Sequence, residues 1–348
     1  MMKILVTGLG SIGQRHVRNL IQLYGDTIEL SAYRTRGRDL VLDDSMTATF
    51  GTQPEEAYNI KTYKSLGRSL AEKPDAILVT NPNNLHMPTA LSAAKQGCHL
   101  FIDKPLSDSL EGVLELQKIV RSEGLIVLIG YQLRFHPALR RIKKIVESGR
   151  IGQVVSANFH FGEYLPGQHP YEDYREGYAA HSDQGGGVIL CLIHEIDLAY
   201  WFFGMPIRVY AVGGHLSELD IDTEDTADIL LQYDMGGRQV PVSVHLDFVQ
   251  KPPKRGCDIV GSKGKISWDY ISKELSIFER QGPISEIVDF SDFDRNQEFL
   301  AEMAHFIECI QSLSQSRVNL EDGINSLKIA LAAKESLATG MPITLLSD

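Results

Sequence analysis

Lys3-Ile4-Leu5-Val6-Thr7-Gly8-Leu9-Gly10-Ser11-Ile12-Gly13 opens the chain and decides its fold. Residues 3–7 read as a short apolar strand, and residues 11–24 read as a helix. Between them, Gly8, Gly10 and Gly13 form a GxGxxG pattern. A Cβ at these glycines would block a tight turn and the close approach of a pyrophosphate. The helix start then offers unpaired N–H groups and a positive dipole end to the phosphates. An isolated GxGxxG says little, but here the strand, the helix and the N-terminal position agree. Gly8, Gly10, Ser11, Ile12 and Gly13 are therefore candidate dinucleotide contacts.

Strand and helix patterns alternate through the first third. Strands are expected at 27–33, 75–80, 99–102 and 125–130, and helices at 88–96 and 109–123. Apolar, non-alternating strands separated by helices imply a parallel sheet covered on both faces. An N-terminal Rossmann dinucleotide-binding domain over residues 1–124 is the expectation. Its second strand ends at Tyr33-Arg34, where a site for NAD would carry an acidic residue about 20 positions beyond the glycines. Arg34-Thr35-Arg36-Gly37-Arg38 stands there instead. A guanidinium pairs with a 2′-phosphate, whereas a carboxylate repels it. Tyr33, Arg34 and Arg38 become candidate cofactor contacts, with NADP favoured over NAD. The rival reading is a solvated loop with Arg34 stacked on adenine.

The pattern then changes. Residues 136–148 suit an amphipathic helix, 153–161 a strand, and 187–203 a single helix carrying His194 and Asp197. Long strands at 226–233, 239–248 and 257–261 follow, with Met235-Gly236-Gly237 as a hairpin signal. Helices at 296–312 and 321–339 close the chain. The expectation for 125–348 is an α+β substrate and oligomerisation domain with a large, mostly antiparallel open-faced sheet. Residues 239–248 read as apolar on both sides, so a homodimer or homotetramer built on that sheet is expected.

Composition narrows the partners. The 348 residues carry a formal net charge of -11, which disfavours nucleic-acid phosphates. No apolar run approaches the roughly 20 residues that span a bilayer, and no signal peptide is apparent. The four cysteines lack metal-ligand spacing, which suits reduced thiols in the cytoplasm. No nucleic acid, membrane or metal is expected.

Thr80-Asn81-Pro82-Asn83 with His86, then Asp103-Lys104-Pro105, resemble the Gfo/Idh/MocA family of oxidoreductases. Gly130-Tyr131-Gln132-Leu133-Arg134-Phe135-His136-Pro137 continues the likeness, as does Gly185-Gly186-Gly187 leading into His194-Glu195-Ile196-Asp197. These motifs run in order along nearly the whole chain. They are specific to the family and not to a substrate. The resemblance implies hydride transfer between a nicotinamide and a secondary alcohol or ketone of a sugar, cyclitol or sugar derivative. It places Thr80, Asn81, Pro82, Asn83, His86 and Asp103 at the cofactor, and Lys104 and His194 in catalysis, in a cleft between domains. The family's usual Glu-Lys-Pro is Asp103-Lys104-Pro105 here, and Cys191 stands near where many members carry an aspartate. The second departure leaves a Lys-His pair without the third member of a triad.

The chemistry suits those side chains. A neutral imidazole takes a hydroxyl proton near neutral pH, and an ammonium stabilises the developing alkoxide. Between strand and helix, residues 160–181 form a long aromatic and polar stretch. Glu163, Tyr164, His169, Tyr174 and His181 suit a sugar ring and its hydroxyls, with Tyr131 and His194 beside them. Arg134 and Arg175 suit a substrate carboxylate or phosphate, as in a sugar acid or nucleotide sugar. Two other classes remain open: a non-catalytic dinucleotide sensor, and an epimerase or hydrolase that recycles a tightly held cofactor.

Overall fold

The computed structural model describes residues 1–43, 45–280 and 284–345. The chain divides into two compact units, Met1–Gln132 with Arg295–Ile324, and Leu133–Asp294 with Asn325–Asp348.

The first unit contains β1 (Met2–Thr7), β2 (Ile28–Tyr33), β3 (Leu40–Leu42), β4 (Ala48–Phe50), β5 (Lys61–Tyr63), β6 (Ala76–Val79), β7 (His99–Asp103) and β8 (Val127–Gly130). Its main sheet has the order β5-β2-β1-β6-β7-β8, and every pairing is parallel. Strands β3 and β4 form a separate antiparallel pair. Ile4, Leu5 and Val6 and all of Ala76–Val79 are buried, as strands covered on both faces must be. The strand order reverses between β1 and β6, so the carboxyl ends of these strands form the crevice where such sheets bind ligands.

The first unit extends past the division expected at 124/125, because β8 pairs with β7. It also takes back the late helix Asn296–Ser312. That helix docks on Ser11–Tyr24, where Asn296 Oδ1 accepts from Arg15 Nη1 at 2.9 Å. Its Phe299 and Phe306 meet His16 and Phe101, with Phe101 and Phe306 ring centres 5.8 Å apart. Periodicity announces such a helix but not the unit that receives it.

The second unit is built on β9 (Val154–Gly162), β10 (Arg208–Gly214), β11 (Thr226–Asp234), β12 (Gln239–Asp247), β13 (Lys254–Gly261), β14 (Gly264–Asp269), β15 (Glu274–Glu279), β16 (Ile284–Asp289) and β17 (Ile343–Thr344). They form one sheet in the order β16-β15-β14-β13-β9-β12-β11-β10-β17. All neighbours are antiparallel except β9 and β12. The hairpin signal holds: Gly236 and Gly237 have φ of +66° and +81° between β11 and β12.

Two expectations need correction. Strand β12 is not apolar on both sides: Val240, Val242, Val244 and Leu246 are buried, while Pro241, Ser243 and His245 alternate with them. Exposed apolar residues on other strands of this sheet include Val155, Val212, Leu230, Val260 and Ile287. Residues 187–203 are not one helix but two, Val188–Cys191 and His194–Phe203. The backbone leaves the helical region at Leu192, where φ is -102° and ψ is 29°.

Candidate active site

The glycine turn is shaped as its sequence requires. Gly8 has φ +95°, and its N–H donates to the Tyr33 carbonyl at 2.8 Å. A Cβ on Gly13 would lie 2.1 Å from the Gly8 carbonyl oxygen, so helix Ser11–Tyr24 can approach β1 only without one. Gly10 caps that helix without a side-chain hydrogen bond, and nothing lies within 4 Å of the place a Cβ would take. The turn thus presents the backbone N–H groups of Ser11, Ile12 and Gly13 at an open helix start.

Thr80, directly after β6, fixes the turn from the other side. Its Oγ1 donates to the Thr7 and Gly8 carbonyls at 2.9 and 3.2 Å. Asn81 Nδ2 donates to Thr89 Oγ1 at 2.9 Å, and its buried Oδ1 meets no partner among the described residues. An orphaned acceptor beside a glycine cradle suits a ligand that brings its own donors, as a ribose or carboxamide does. Pro82 is half-buried and Asn83 is buried, starting the short helical turn Asn83–Leu85.

Arg34 is not presented to a ligand. It is buried, pairs with Glu55, and also donates to Gln53 Oε1 at 3.1 Å. Its remaining reach goes to the carbonyls of Arg36 and Arg38 at 3.2 and 2.8 Å. Arg34 therefore shapes the loop, while Arg36 and Arg38 stand exposed on it.

Asp103 ends β7, and its Oδ1 accepts the backbone N–H of Lys104 at 2.8 Å. Burial pushes the Asp103 carboxyl upward, against the pull of Lys104 and His86. Gly130 sits beside Asp103 in register, where a Cβ would come 3.0 Å from Asp103 Oδ1. His86 is buried and bridges two turns: Nδ1 lies 2.7 Å from the Pro105 carbonyl and Nε2 2.8 Å from the Asn81 carbonyl. It ties the Thr80–Asn83 turn to the Lys104 turn instead of facing outward.

Sequence reading missed Glu302, buried on the helix that returns to this unit. Burial, with Asp103 and then Glu298 adding to it, holds its carboxyl well above the usual range. The available signal was a pair of acids at i and i+4, Glu298 and Glu302, in phase with Phe299, Met303 and Phe306.

In the second unit, His194 is the buried first residue of its helix. Glu195 accepts from Arg255 Nε at 2.7 Å. Asp197 accepts from Arg134 Nε and Nη2 at 2.9 and 2.6 Å, and from Ser326 Oγ at 2.8 Å. Both members of that ion pair are buried, so the Arg134 fork is engaged by Asp197 instead of standing open to a substrate anion. The glycine triplet explains the approach to His194. A Cβ on Gly186 would strike the Tyr178, Ala179 and His181 carbonyls at 2.5 to 2.7 Å. Gly187 has φ +95° and packs on Glu224, which Lys334 pairs at 3.1 Å. Cys191 is buried one turn ahead of His194.

The polar stretch forms short turns, Leu165–Gln168, Tyr174–Glu176, Tyr178–Ala180 and Ser182–Gln184. Tyr164 is exposed, and Glu163 Oε1 accepts from Gln168 at 2.7 Å. His169 pairs with Glu172 at 2.9 Å and stacks on Tyr171. Arg175 is exposed and bound to Asp173, its Nη2 2.5 Å from Asp173 Oδ2. The Tyr174 hydroxyl accepts the Asp220 N–H at 3.2 Å. His181 is half-buried, and its N–H donates to the Tyr178 carbonyl. Tyr131, in the first unit, is fully buried.

Residues 2–131 match the model of the oxidoreductase family's NAD-binding Rossmann fold, and residues 143–345 match that of its C-terminal α/β domain. The chain belongs to the Gfo/Idh/MocA oxidoreductase family. It is an NAD(P)-dependent oxidoreductase. A myo-inositol 2-dehydrogenase of Thermotoga maritima is 28% identical over 97% of this chain and 96% of its own. The scyllo-inositol 2-dehydrogenase (NAD(+)) of Bacillus subtilis is 25% identical over 98% and 95%. The WlbA dehydrogenase of Bordetella pertussis, solved with NADH and UDP-GlcNAcA, superposes with a TM-score of 0.81 over 100% of this chain and 99% of its own. At 21% identity that likeness speaks to the fold alone.

Proposed function

We propose that this member of the Gfo/Idh/MocA family transfers a hydride between NAD(P) and a secondary alcohol or ketone of a sugar, cyclitol or sugar derivative. The observation that carries the reading is the placement of Lys104. It follows β7 directly, on the same carboxyl-end edge of the parallel sheet as the glycine cradle, and His86 ties its turn to Asn81. Relatives named as inositol dehydrogenases, matching nearly end to end, support a polyhydroxylated substrate.

With the dinucleotide's phosphates held at the cradle, the nicotinamide would supply or take up the hydride. Ser11, Ile12 and Gly13 would hold the phosphates through backbone N–H groups, and Asn81 Oδ1 would accept from the ribose or carboxamide. Lys104 would hold an ammonium against the substrate oxygen, and His194 would take the hydroxyl proton in oxidation or return it in reduction. Tyr164 and its neighbours in the loop after β9 would carry the sugar face. NADP is proposed over NAD because no carboxylate follows β2 and Arg36 and Arg38 are exposed there. The protein is proposed to work as a homodimer or homotetramer built on the large sheet, in the cytoplasm, where its four buried cysteines would stay reduced.

The test is a screen of cyclitols, sugars, sugar acids and nucleotide sugars with each cofactor, following absorbance of the reduced nicotinamide. Turnover of a polyol or its ketone supports the reading. Cofactor binding without turnover of any of them would overturn it.

A further inference from the structure

The parallel strands β9 and β12 end in polar residues on one face of the large sheet. Register sets His160 beside His245 and Gly162 beside Asp247, while β11 sets Asp228 against His245 from the other flank. The two imidazoles stack, with centroids 4.8 Å apart and planes 21° from parallel. His245 Nδ1 lies 2.8 Å from Asp228 Oδ1, and its Nε2 lies 3.1 Å from Asp247 Oδ2. One donor atom each from His160, His245 and Asp247 falls within 4.8 Å of the others.

The cluster is held in place. Asp247 Oδ1 accepts the N–H groups of Val249 and Gln250 at 2.9 and 2.7 Å, which leaves Oδ2 directed at the histidines. Gln250 Oε1 lies 3.0 Å from His160 Nε2 and orients that ring. A Cβ on Gly162 would come 2.2 Å from Asp247 Oδ2 and 2.3 Å from Gln250 Oε1, so glycine keeps this space open.

His245 Nε2 faces Asp247 Oδ2 at 3.1 Å, and either a proton on the ring or a metal ion in its place satisfies both atoms. We propose that His160, His245 and Asp247 form a binding site for a divalent transition metal of the zinc class, with Asp228 orienting His245 from behind. Two imidazole nitrogens and one carboxylate oxygen suit Zn²⁺, and a carboxylate on the far nitrogen of a ligating histidine is the usual outer partner. The hard, oxygen-seeking Mg²⁺ is poorly served by this donor set. The Glu163 N–H donates to the Asp247 carbonyl at 3.1 Å, so a bound ion would pin the two strand ends beneath the loop carrying Glu163 and Tyr164. The role is structural and takes no part in hydride transfer.

The test is calorimetric titration of chelator-treated full-length protein with Zn²⁺ in millimolar Mg²⁺. One Zn²⁺ per chain is expected, with a raised melting temperature. His160→Gln and Asp247→Asn should abolish binding while keeping the wild-type far-ultraviolet dichroism. Asp228→Asn should weaken it about 10- to 100-fold. Absence of stoichiometric binding, or binding unchanged in both His160→Gln and Asp247→Asn, would overturn the proposal. Should one of these variants not fold, the other decides.

Discussion

The buried guanidinium of Arg34 is closed by the half-buried Glu55 within the first unit, so the arginine best placed in the sequence to meet a 2′-phosphate already has a carboxylate partner. A phosphate on the same group would have to compete with that carboxylate. Under the proposed preference for NADP, selectivity would rest on Arg36 and Arg38. Arg36→Ala with Arg38→Ala should weaken NADP at least tenfold and leave NAD nearly unchanged, since each charge-assisted hydrogen bond is worth about 1.5–3 kcal/mol. Arg34→Ala should weaken both dinucleotides together, because it releases the loop. Fluorescence titration of both cofactors distinguishes these outcomes. A selective loss of NADP in Arg34→Ala alone would restore the direct role.

Lys104→Met should leave dinucleotide affinity close to wild type, because the glycine turn and Thr80 are independent of the ammonium. Turnover should drop by about 10²- to 10⁴-fold, the span for one acid–base group. His194→Ala should do similar damage. If both act on one proton transfer, the double variant should cost far less than the product of the two. Wild-type turnover in Lys104→Met on an authentic substrate would remove Lys104 from the mechanism.

His86 offers a different readout. It lies between the Asn81 and Pro105 carbonyls, and burial lowers its pKa, so the neutral ring donates to one of them; His86→Ala removes that bond, at about 1–3 kcal/mol of stability. The Lys104 turn should loosen, so kcat should fall more than cofactor affinity. His86→Gln, which can donate to one carbonyl, should recover part of the rate. A kcat equal to wild type in His86→Ala would leave His86 a packing residue only.

The fold was legible where chemistry and period coincide. Gly8, Gly10 and Gly13 combine a strand, a turn and a helix start; Gly8 needs its φ of +95°, Gly13 has no room for a Cβ, and Gly10 leaves open space beside the helix start. The helices 11–24 and 296–312 were visible from their periodicity. Partner choice was not legible. Arg34 and Arg134 read as free anchors because the sequence does not say that Glu55 lies 21 residues on and Asp197 lies 63 residues on, each in contact. The same limit hid the cluster on the sheet. His160 and His245 are 85 positions apart and meet only through the parallel register of β9 and β12, which no local pattern encodes.

His16 supplies the last prediction. It is buried on helix Ser11–Tyr24, packed edge-on against Phe101 at 4.8 Å, and neither ring nitrogen meets a partner among the described residues. Burial, with Arg15 adding to it, lowers its pKa from 6.5 to about 3. Above pH 6.5 neither the folded nor the unfolded chain protonates this ring, and its full contribution to stability is present. As pH falls from 6.5 toward 3, the unfolded chain takes up a proton that the folded one refuses, and stability is lost by about 1.4 kcal/mol per pH unit. Between pH 7 and pH 5 the wild type should therefore lose about 2 kcal/mol more than His16→Leu, which has no proton to bind. Urea unfolding at the two pH values measures the difference. Equal losses in the two proteins would mean that the folded state protonates His16 as readily as the unfolded one does, through a rearrangement that brings it a partner.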